Sequence, residues 1–190
     1  MNGFQDTIRS IWSVADLLRG DYRPSEYGHV IVPLMLLRRL DCALAPTKDA
    51  VLAEYDSLQQ DPDLVLNRIA GQRFHNTSKL DLPTLLVDPH NIAVNLRSYI
   101  NAFSQHVRDT FERFNFDQQI RRLDQAGLLY PVIATFCEID LRPDVVNNLE
   151  MGYIYVELVR RFSEQSKQAS AENITPREVI QLMTEWMQEQ

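Results

Sequence analysis

Glycine is scarce in this chain, and its few copies do not build the loops that cradle phosphates. The 190 residues contain 6 glycines, and these form no G-x-G-x-x-G segment, no P-loop and no G-x-S-x-G turn. Carboxylates are numerous, but no spacing pairs two of them as acid and base, so helix caps and solvated surface positions are their expected use. We therefore predict no catalytic residue within this chain.

Cysteine and histidine are too few, and too dispersed, to predict a metal site. The 2 cysteines, Cys42 and Cys137, form neither a C-x-x-C pair nor a disulfide framework, which predicts reduced thiols in a cytoplasmic protein. The 4 histidines stand in unrelated contexts without an H-E-x-x-H motif, so we assign no metal to them. They are His29, His75, His90 and His106.

Long hydrophobic runs and excess positive charge are also missing. The longest apolar run, residues 30–37, is far shorter than the roughly 20 residues of a membrane span, and the amino terminus lacks a signal-peptide pattern. These features predict a soluble protein without a membrane partner. The formal net charge of -7 argues against bulk electrostatic binding of nucleic acid, so any DNA contact must be local.

Apolar residues recur mainly at helical spacing, which predicts a compact, all-α, multi-helix fold. The segment 25–44 is apolar on nearly every side and predicts a central buried helix, in which Pro33 either introduces a kink or marks a restart. The least helical stretch is 72–89, where we expect a long loop or one small β-hairpin.

Glycine and proline predict where several helices begin and end. Gly20 is expected to end the first helix, and Gly71 to end a short helix capped by Asp61. Gly127 and Pro131 are expected to interrupt the helical pattern between residues 117 and 139.

The carboxyl-terminal part divides into three predicted segments. A long helix is expected to begin near Pro143 and to complete a helical domain over residues 1–163. Residues 164–174 form a polar linker, and residues 175–190 form an outgoing helix.

Three arginine doublets leave two interpretations open: Arg38 with Arg39, Arg121 with Arg122, and Arg160 with Arg161. In the first two doublets, a following aspartate offers a local ion pair, and arginines late in a helix complement its dipole. The alternative is contact with DNA phosphate or with a partner subunit.

The stretch "TPREV" satisfies the local rules for the start of a helix. Thr175 can cap it, Pro176 takes the first helical position, and Glu178 completes a capping box. An apolar stripe follows, formed by Val179, Ile180, Met183 and Met187. Such a start can be purely structural, or it can offer N–H groups to an anion such as a carboxylate.

Four strings carry a more specific resemblance. They are "IWSVADLLRGDYRPSEYGHVIVPLMLLRRLDCAL", "NLRSYINAFSQHVRDTF", "NNLEMGYIYVELVRRF" and "TPREVIQLM". In this order they resemble the N-terminal helical domain of HsdM, the modification subunit of type I DNA restriction-modification systems. The resemblance extends from about Ile11 to Met183.

The resemblance implies a subunit that transfers a methyl group from S-adenosylmethionine to the exocyclic amine of adenine in DNA. It implies a helical domain that serves subunit assembly and DNA clamping, ahead of a Rossmann-like methyltransferase domain. The implied partners are a specificity subunit, a second modification subunit, a restriction subunit and duplex DNA within the complex.

The resemblance also implies which residues border S-adenosylmethionine: Glu172, Asn173, Ile174, Thr175, Pro176 and Arg177. The family's D-P-x-x-G-x-G and N-P-P-[FY] motifs occur nowhere in the 190 residues. We therefore expect a truncated chain that is inactive alone, although its parent is an adenine methyltransferase. The alternative is a stand-alone helical interaction module that uses no cofactor.

Overall fold

The computed structural model describes residues 2–57 and 63–166, and this part of the chain is built from helices. The predicted all-α fold is confirmed. The helices are α1 (Asn2–Leu18), α2 (Tyr27–Leu44), α3 (Lys48–Tyr55), α4 (Asp63–Ala70), α5 (Leu82–Leu85), α6 (Ile92–Asn101), α7 (Gln105–Arg113), α8 (Phe116–Gln125), α9 (Leu129–Cys137) and α10 (Asn148–Ser166). Short 3₁₀ segments precede α2, α3 and α6.

Helix α2 is the central element, as its all-round apolar sequence predicts. It packs against α1, α8, α9 and α10, and residues on several of its sides are fully buried, including Ile31, Leu34 and Leu37. Pro33 lies inside one uninterrupted helix, so the predicted restart does not occur. Packing on several sides compensates for the backbone hydrogen bond that proline cannot donate.

The apolar core is continuous from Ile8 to Phe162. Its largest fully buried side chains are Phe103, Phe116 and Phe136. Each such side chain contributes roughly 1.5–3 kcal/mol through removal of apolar surface from water. The described residues therefore bury one core that includes both α1 and α10.

Glycines end helices where the sequence indicates. Helix α1 ends just before Gly20, and α4 ends just before Gly71. Beyond α8, Gly127 has φ +69 and Leu128 N–H donates to the Leu123 carbonyl at 2.8 Å, which is the hydrogen bond of a left-handed helix terminus. The predicted interruption at Pro131 is wrong, because Pro131 lies in the first turn of α9, where its missing N–H is not needed.

Residues 72–80 form an irregular loop rather than the β-hairpin we considered, and the described residues contain only isolated β-bridges. The loop's hydrogen bonds join it to the break between α6 and α7: Thr77 N–H donates to the Ala102 carbonyl at 3.0 Å, and Ser104 N–H donates to the His75 carbonyl at 3.1 Å. These long-range partners replace a local strand pair.

The long final helix begins at Asn148, so the predicted start near Pro143 is wrong. Glu150 N–H donates to Asn147 Oδ1 at 3.0 Å, and Asn147 N–H donates to Glu150 Oε2 at 2.9 Å. This is a capping box. The helix continues to Ser166, so residues 164–166 belong to it, and the rest of the predicted linker lies outside the described residues.

Candidate interaction surface

The residues predicted to border S-adenosylmethionine lie outside the part of the chain that the structure describes. They are Glu172, Asn173, Ile174, Thr175, Pro176 and Arg177. The helix predicted over residues 175–190 lies there too. Both assignments therefore remain predictions.

Arg38, in the first arginine doublet, makes contacts that stabilise the fold. Arg38 pairs with Asp41 at 3.0 Å and donates to the carbonyls of Ile139 and Cys137 at 2.9 and 3.0 Å. The local ion pair predicted from the sequence is thus confirmed for Arg38. The arginine also connects α2 to the segment that follows α9.

Arg39 is buried and also connects α2 to a distant part of the chain. Its guanidinium donates to the carbonyls of Leu141 and Val146, at 2.7 and 2.6 Å, and to Asn148 Oδ1 at 2.9 Å. Burial lowers the pKa of Arg39 below its ordinary value. Since its donors face the connection between α9 and α10, Arg39 anchors the start of α10 on α2.

The other two doublets also form intramolecular contacts. Arg121 pairs with Asp117 at 2.7 Å, rather than with the aspartate that follows it. Arg122 pairs with Glu26 at 2.7 Å and stacks 3.8 Å from the centre of the Tyr22 ring. These contacts support the ion-pair interpretation for the second doublet.

Glu157 accepts from both members of the third doublet. Arg160 and Arg161 lie 2.7 and 3.0 Å from its carboxylate, and their hydrogen bonds lower the pKa of Glu157 to about 2. Arg161 also lies over the ring of Trp12. The last turns of α10 are therefore linked to α1 through charge and aromatic contact.

A buried carboxylate, Asp41, connects α2, α5 and α6. Its Oδ1 accepts from the Tyr99 hydroxyl at 2.8 Å and from Leu82 N–H at 3.1 Å. Its Oδ2 accepts from Arg38. Burial raises the pKa of Asp41 even though these donors favour the charged form. Each oxygen already has a protein donor, so this carboxylate has a structural role.

A cavity of about 400 Å³ lies beside Asp41 and includes both cysteines in its lining. Both are free thiols, as the sequence predicts. Burial raises the pKa of Cys42 and raises that of Cys137 to about 11, so both are protonated at neutral pH and react poorly as nucleophiles. Lys48 and Asp81 pair at 2.6 Å in the same wall.

The histidines of the described residues give no metal cluster, because no group of three or more potential ligands occurs there. His75 Nδ1 instead lies 2.7 Å from Asn67 Oδ1, and its Nε2 lies 3.6 Å from Asp63. Burial lowers the pKa of His75. Within the same part of the chain, no helix is long and apolar enough to cross a membrane.

Helix α10 carries an exposed apolar stripe that sequence reasoning missed. Leu149, Tyr153 and Val156 are 65%, 58% and 60% exposed, and their i, i+4, i+7 spacing aligns them along one side of the helix. We call these three residues the α10 face. The opposite side of α10 is buried through Met151, Ile154, Tyr155 and Leu158.

A groove of about 850 Å³ lies between the first turns of α1 and α10. Phe4 contributes from α1, and Tyr153, Ile154 and Val156 contribute from α10. We call it the α1–α10 groove. Contiguous exposed apolar surface of this kind is typical of contact with another polypeptide segment. The sequence could have indicated this surface, because α10 has apolar residues on both sides. One buried stripe requires fewer of them.

Together, these features describe an all-helical domain whose prominent charged groups stabilise its own fold and whose last described helix offers an apolar contact surface. Comparison with protein families gives a match to the HsdM N-terminal domain over residues 8–136. The chain belongs to this family. No curated protein and no solved structure gave a match.

Proposed function

We propose that this chain is the N-terminal domain of the modification subunit of a cytoplasmic type I restriction-modification system. The observation that carries the proposal is the family match over residues 8–136. The subunit would transfer a methyl group from S-adenosylmethionine to the exocyclic amine of adenine in DNA. Within it, the helical domain would serve assembly and DNA clamping.

The assembly role is supported by the α10 face and the α1–α10 groove. Both surfaces are built on helices of the buried core, and both expose apolar area to solvent. The proposed partners are the specificity subunit, a second modification subunit and the restriction subunit. Duplex DNA would be enclosed by the assembled complex.

The charge of the chain argues against strong DNA binding by this domain alone. The chain carries a net charge of -7, and the cations of the three doublets form intramolecular contacts. Ion pairs also involve other cations: Arg9, Arg19, Lys48, Arg97 and Arg142. Because affinity for duplex DNA depends on available clustered cations, we expect only weak, salt-sensitive binding by the isolated domain.

S-adenosylmethionine would supply the methyl group in the parent subunit. Residues 172–177 are proposed to border it, with Thr175 and Pro176 beginning a helix whose free N–H groups suit a carboxylate. The glycine-rich and N-P-P-[FY] motifs do not occur in this sequence. The residues present therefore form at most one edge of the cofactor site, and we expect no measurable binding of S-adenosylmethionine by this chain alone.

A second candidate is a stand-alone helical interaction module without a cofactor. The continuous core from Ile8 to Phe162 favours it, because the described residues bury one another in a single cluster. The reading frame beyond Gln190 distinguishes the two candidates. Continuation into D-P-x-x-G-x-G and N-P-P-[FY] supports the methyltransferase subunit, whereas a native stop codon supports the module.

The enzymatic proposal is tested by methyl transfer. The complete product of the gene encoding this chain is mixed with its specificity subunit, duplex DNA and S-adenosylmethionine labelled in the methyl group. We expect N6-methyladenine, formed only when the specificity subunit is present. Absence of labelled adenine from a folded, assembled complex would contradict the proposal.

A further inference from the structure

We propose that the carboxyl end of α4 and the loop after it form a contact site for the phosphate backbone of duplex DNA, with Arg68 and Arg73 as its cations. A groove of about 580 Å³ lies there, lined by residues of α4 and by residues 71–74. We call it the α4 groove. The inference deepens the proposed function, on which it rests for the choice of DNA as the ligand.

Charge distinguishes this part of the chain from the rest. Residues 64–80 contain three cations, Arg68, Arg73 and Lys79, and no aspartate or glutamate, whereas the whole chain has a net charge of -7. No carboxylate stands among the described residues that line the α4 groove. Phosphate contacts need cations that are clustered on one surface. A basic segment within an acidic chain therefore permits local contact with DNA, although the chain as a whole does not attract it.

The polar side chains of the groove suit a phosphate group. Arg68 and Arg73 are both exposed to solvent, and no ion pair joins Arg68 to another described residue. A guanidinium can donate two parallel hydrogen bonds to one phosphate. Asn67 and Gln72 also line the groove, and amide side chains are common donors to the DNA backbone. The groove thus presents donors without a competing carboxylate.

The backbone at the end of α4 is compatible with an anion. The carboxyl end of a helix normally disfavours negative charge, because its last carbonyls are unpaired. Here Gly71 N–H donates to the Arg68 carbonyl and Gln72 N–H to the Asn67 carbonyl, both at 3.2 Å. Gly71 has φ +62, which this left-handed helix terminus requires. The chain turns at Gly71, and Arg73 lines the same groove as Arg68.

The α4 groove is distinct from the surfaces assigned to partner subunits. It shares no lining residue with the α1–α10 groove. Helix α4 packs against α3, whereas α10 packs against α1 and α2. DNA at the α4 groove therefore leaves the α10 face available to another subunit, as clamping by an assembled complex requires.

Fluorescence anisotropy of a labelled duplex tests the site with this chain at low salt, about 50 mM, where phosphate contacts are strongest. The test variants are Arg68→Gln and Arg73→Gln. The matched control is Arg113→Gln, because Arg113 is exposed and lies in the last turn of α7, as Arg68 does in α4. Each variant removes one positive charge. A thermal melt checks that the helical core remains folded.

We expect each test variant to bind the duplex about tenfold more weakly than the unmodified chain, and the control to change by less than about twofold. One phosphate contact contributes about 0.9 to the slope of log K against log salt, so this slope should fall by about 0.9 in each test variant. Equal losses in the test and control variants would overturn the proposal, because bulk charge would then explain the binding. Absence of binding by the unmodified chain would overturn it too.

A polyglutamate competitor separates DNA from an acidic protein as the ligand. We expect unlabelled duplex to displace the labelled duplex at a much lower concentration of negative charge than polyglutamate does. Equal displacement would assign the α4 groove to an acidic polypeptide and would contradict the proposal. The methyl-transfer assay tests the proposed function separately, and its failure would leave these binding results unaffected.

Discussion

Replacing Arg39 with methionine tests whether a buried arginine anchors the start of α10. Methionine keeps an apolar stem of similar length and removes the three hydrogen bonds to Leu141, Val146 and Asn148. Hydrogen bonds to a charged group contribute about 1.5–3 kcal/mol each. Relief of the buried charge offsets part of this sum, so we expect a net loss of about 3 kcal/mol.

Urea unfolding followed by circular dichroism measures this loss. With a slope of about 2 kcal/mol per molar urea, the midpoint should fall by about 1.5 M. The control is Arg121→Met, which removes a surface pair with a 63% exposed arginine side chain and should cost at most about 0.5 kcal/mol. If the two variants lost equal stability, the anchoring role of Arg39 would be refuted.

The remaining predictions concern single side chains in the same urea assay. Tyr99→Phe removes a donor to the buried carboxylate of Asp41 and should cost about 2 kcal/mol; no loss would contradict the role of this contact. Gly152→Ala adds a Cβ that meets no atom within 4 Å and should stabilise α10 by about 0.5–1 kcal/mol, whereas Gly127→Ala, at φ +69, should destabilise by about 1–2 kcal/mol; the same sign for both would refute the reasoning. Burial lowers the pKa of His75 from its ordinary 6.5, so the unfolded state binds the proton more tightly and the free energy of unfolding should fall as pH drops below about 6.5. His75→Gln should reduce this decline between pH 7 and pH 5, and an unchanged slope would exclude His75 as its source.

Local patterns in the sequence were sufficient to predict the central position of α2 and the ends of several helices. The apolar pattern of α2 predicted its central position because a helix surrounded by other helices needs apolar residues on every side. The helix stops at Gly71 and Gly127 followed from their tolerance of positive φ. The start of α10 could also have been predicted from the sequence. Asn147 and Glu150 form a capping pattern, which is a stronger signal for a helix start than Pro143.

Other features depend on contacts between distant residues. The loop at residues 72–80 takes its hydrogen bonds from Ala102 and Ser104, and no local pattern specifies that pairing. Burial of Arg39 is equally non-local, because its acceptors lie about a hundred residues away. The α10 face was missed because apolar residues on both sides of a helix predict burial without showing which side is covered.

The arginine doublets show how structure supports one of two interpretations that the sequence left open. A pair of adjacent arginines on a helix suits DNA phosphate and carboxylates equally well. Here each doublet contacts groups of its own chain, including Asp41, Asp117 and Glu157. The structure therefore supports the intramolecular interpretation, and contact of the exposed arginines with DNA phosphate or a partner subunit stays a prediction.

Sedimentation velocity of the reconstituted complex tests the central claim most directly. The complete modification subunit, with and without residues 1–166, is mixed with its specificity subunit, and binding of S-adenosylmethionine verifies that the shortened subunit is folded. We predict that the complete subunit assembles two copies with one specificity subunit, and that the shortened subunit binds the cofactor without forming this complex. A shortened subunit that assembles and methylates adenine as well as the complete one would contradict the account.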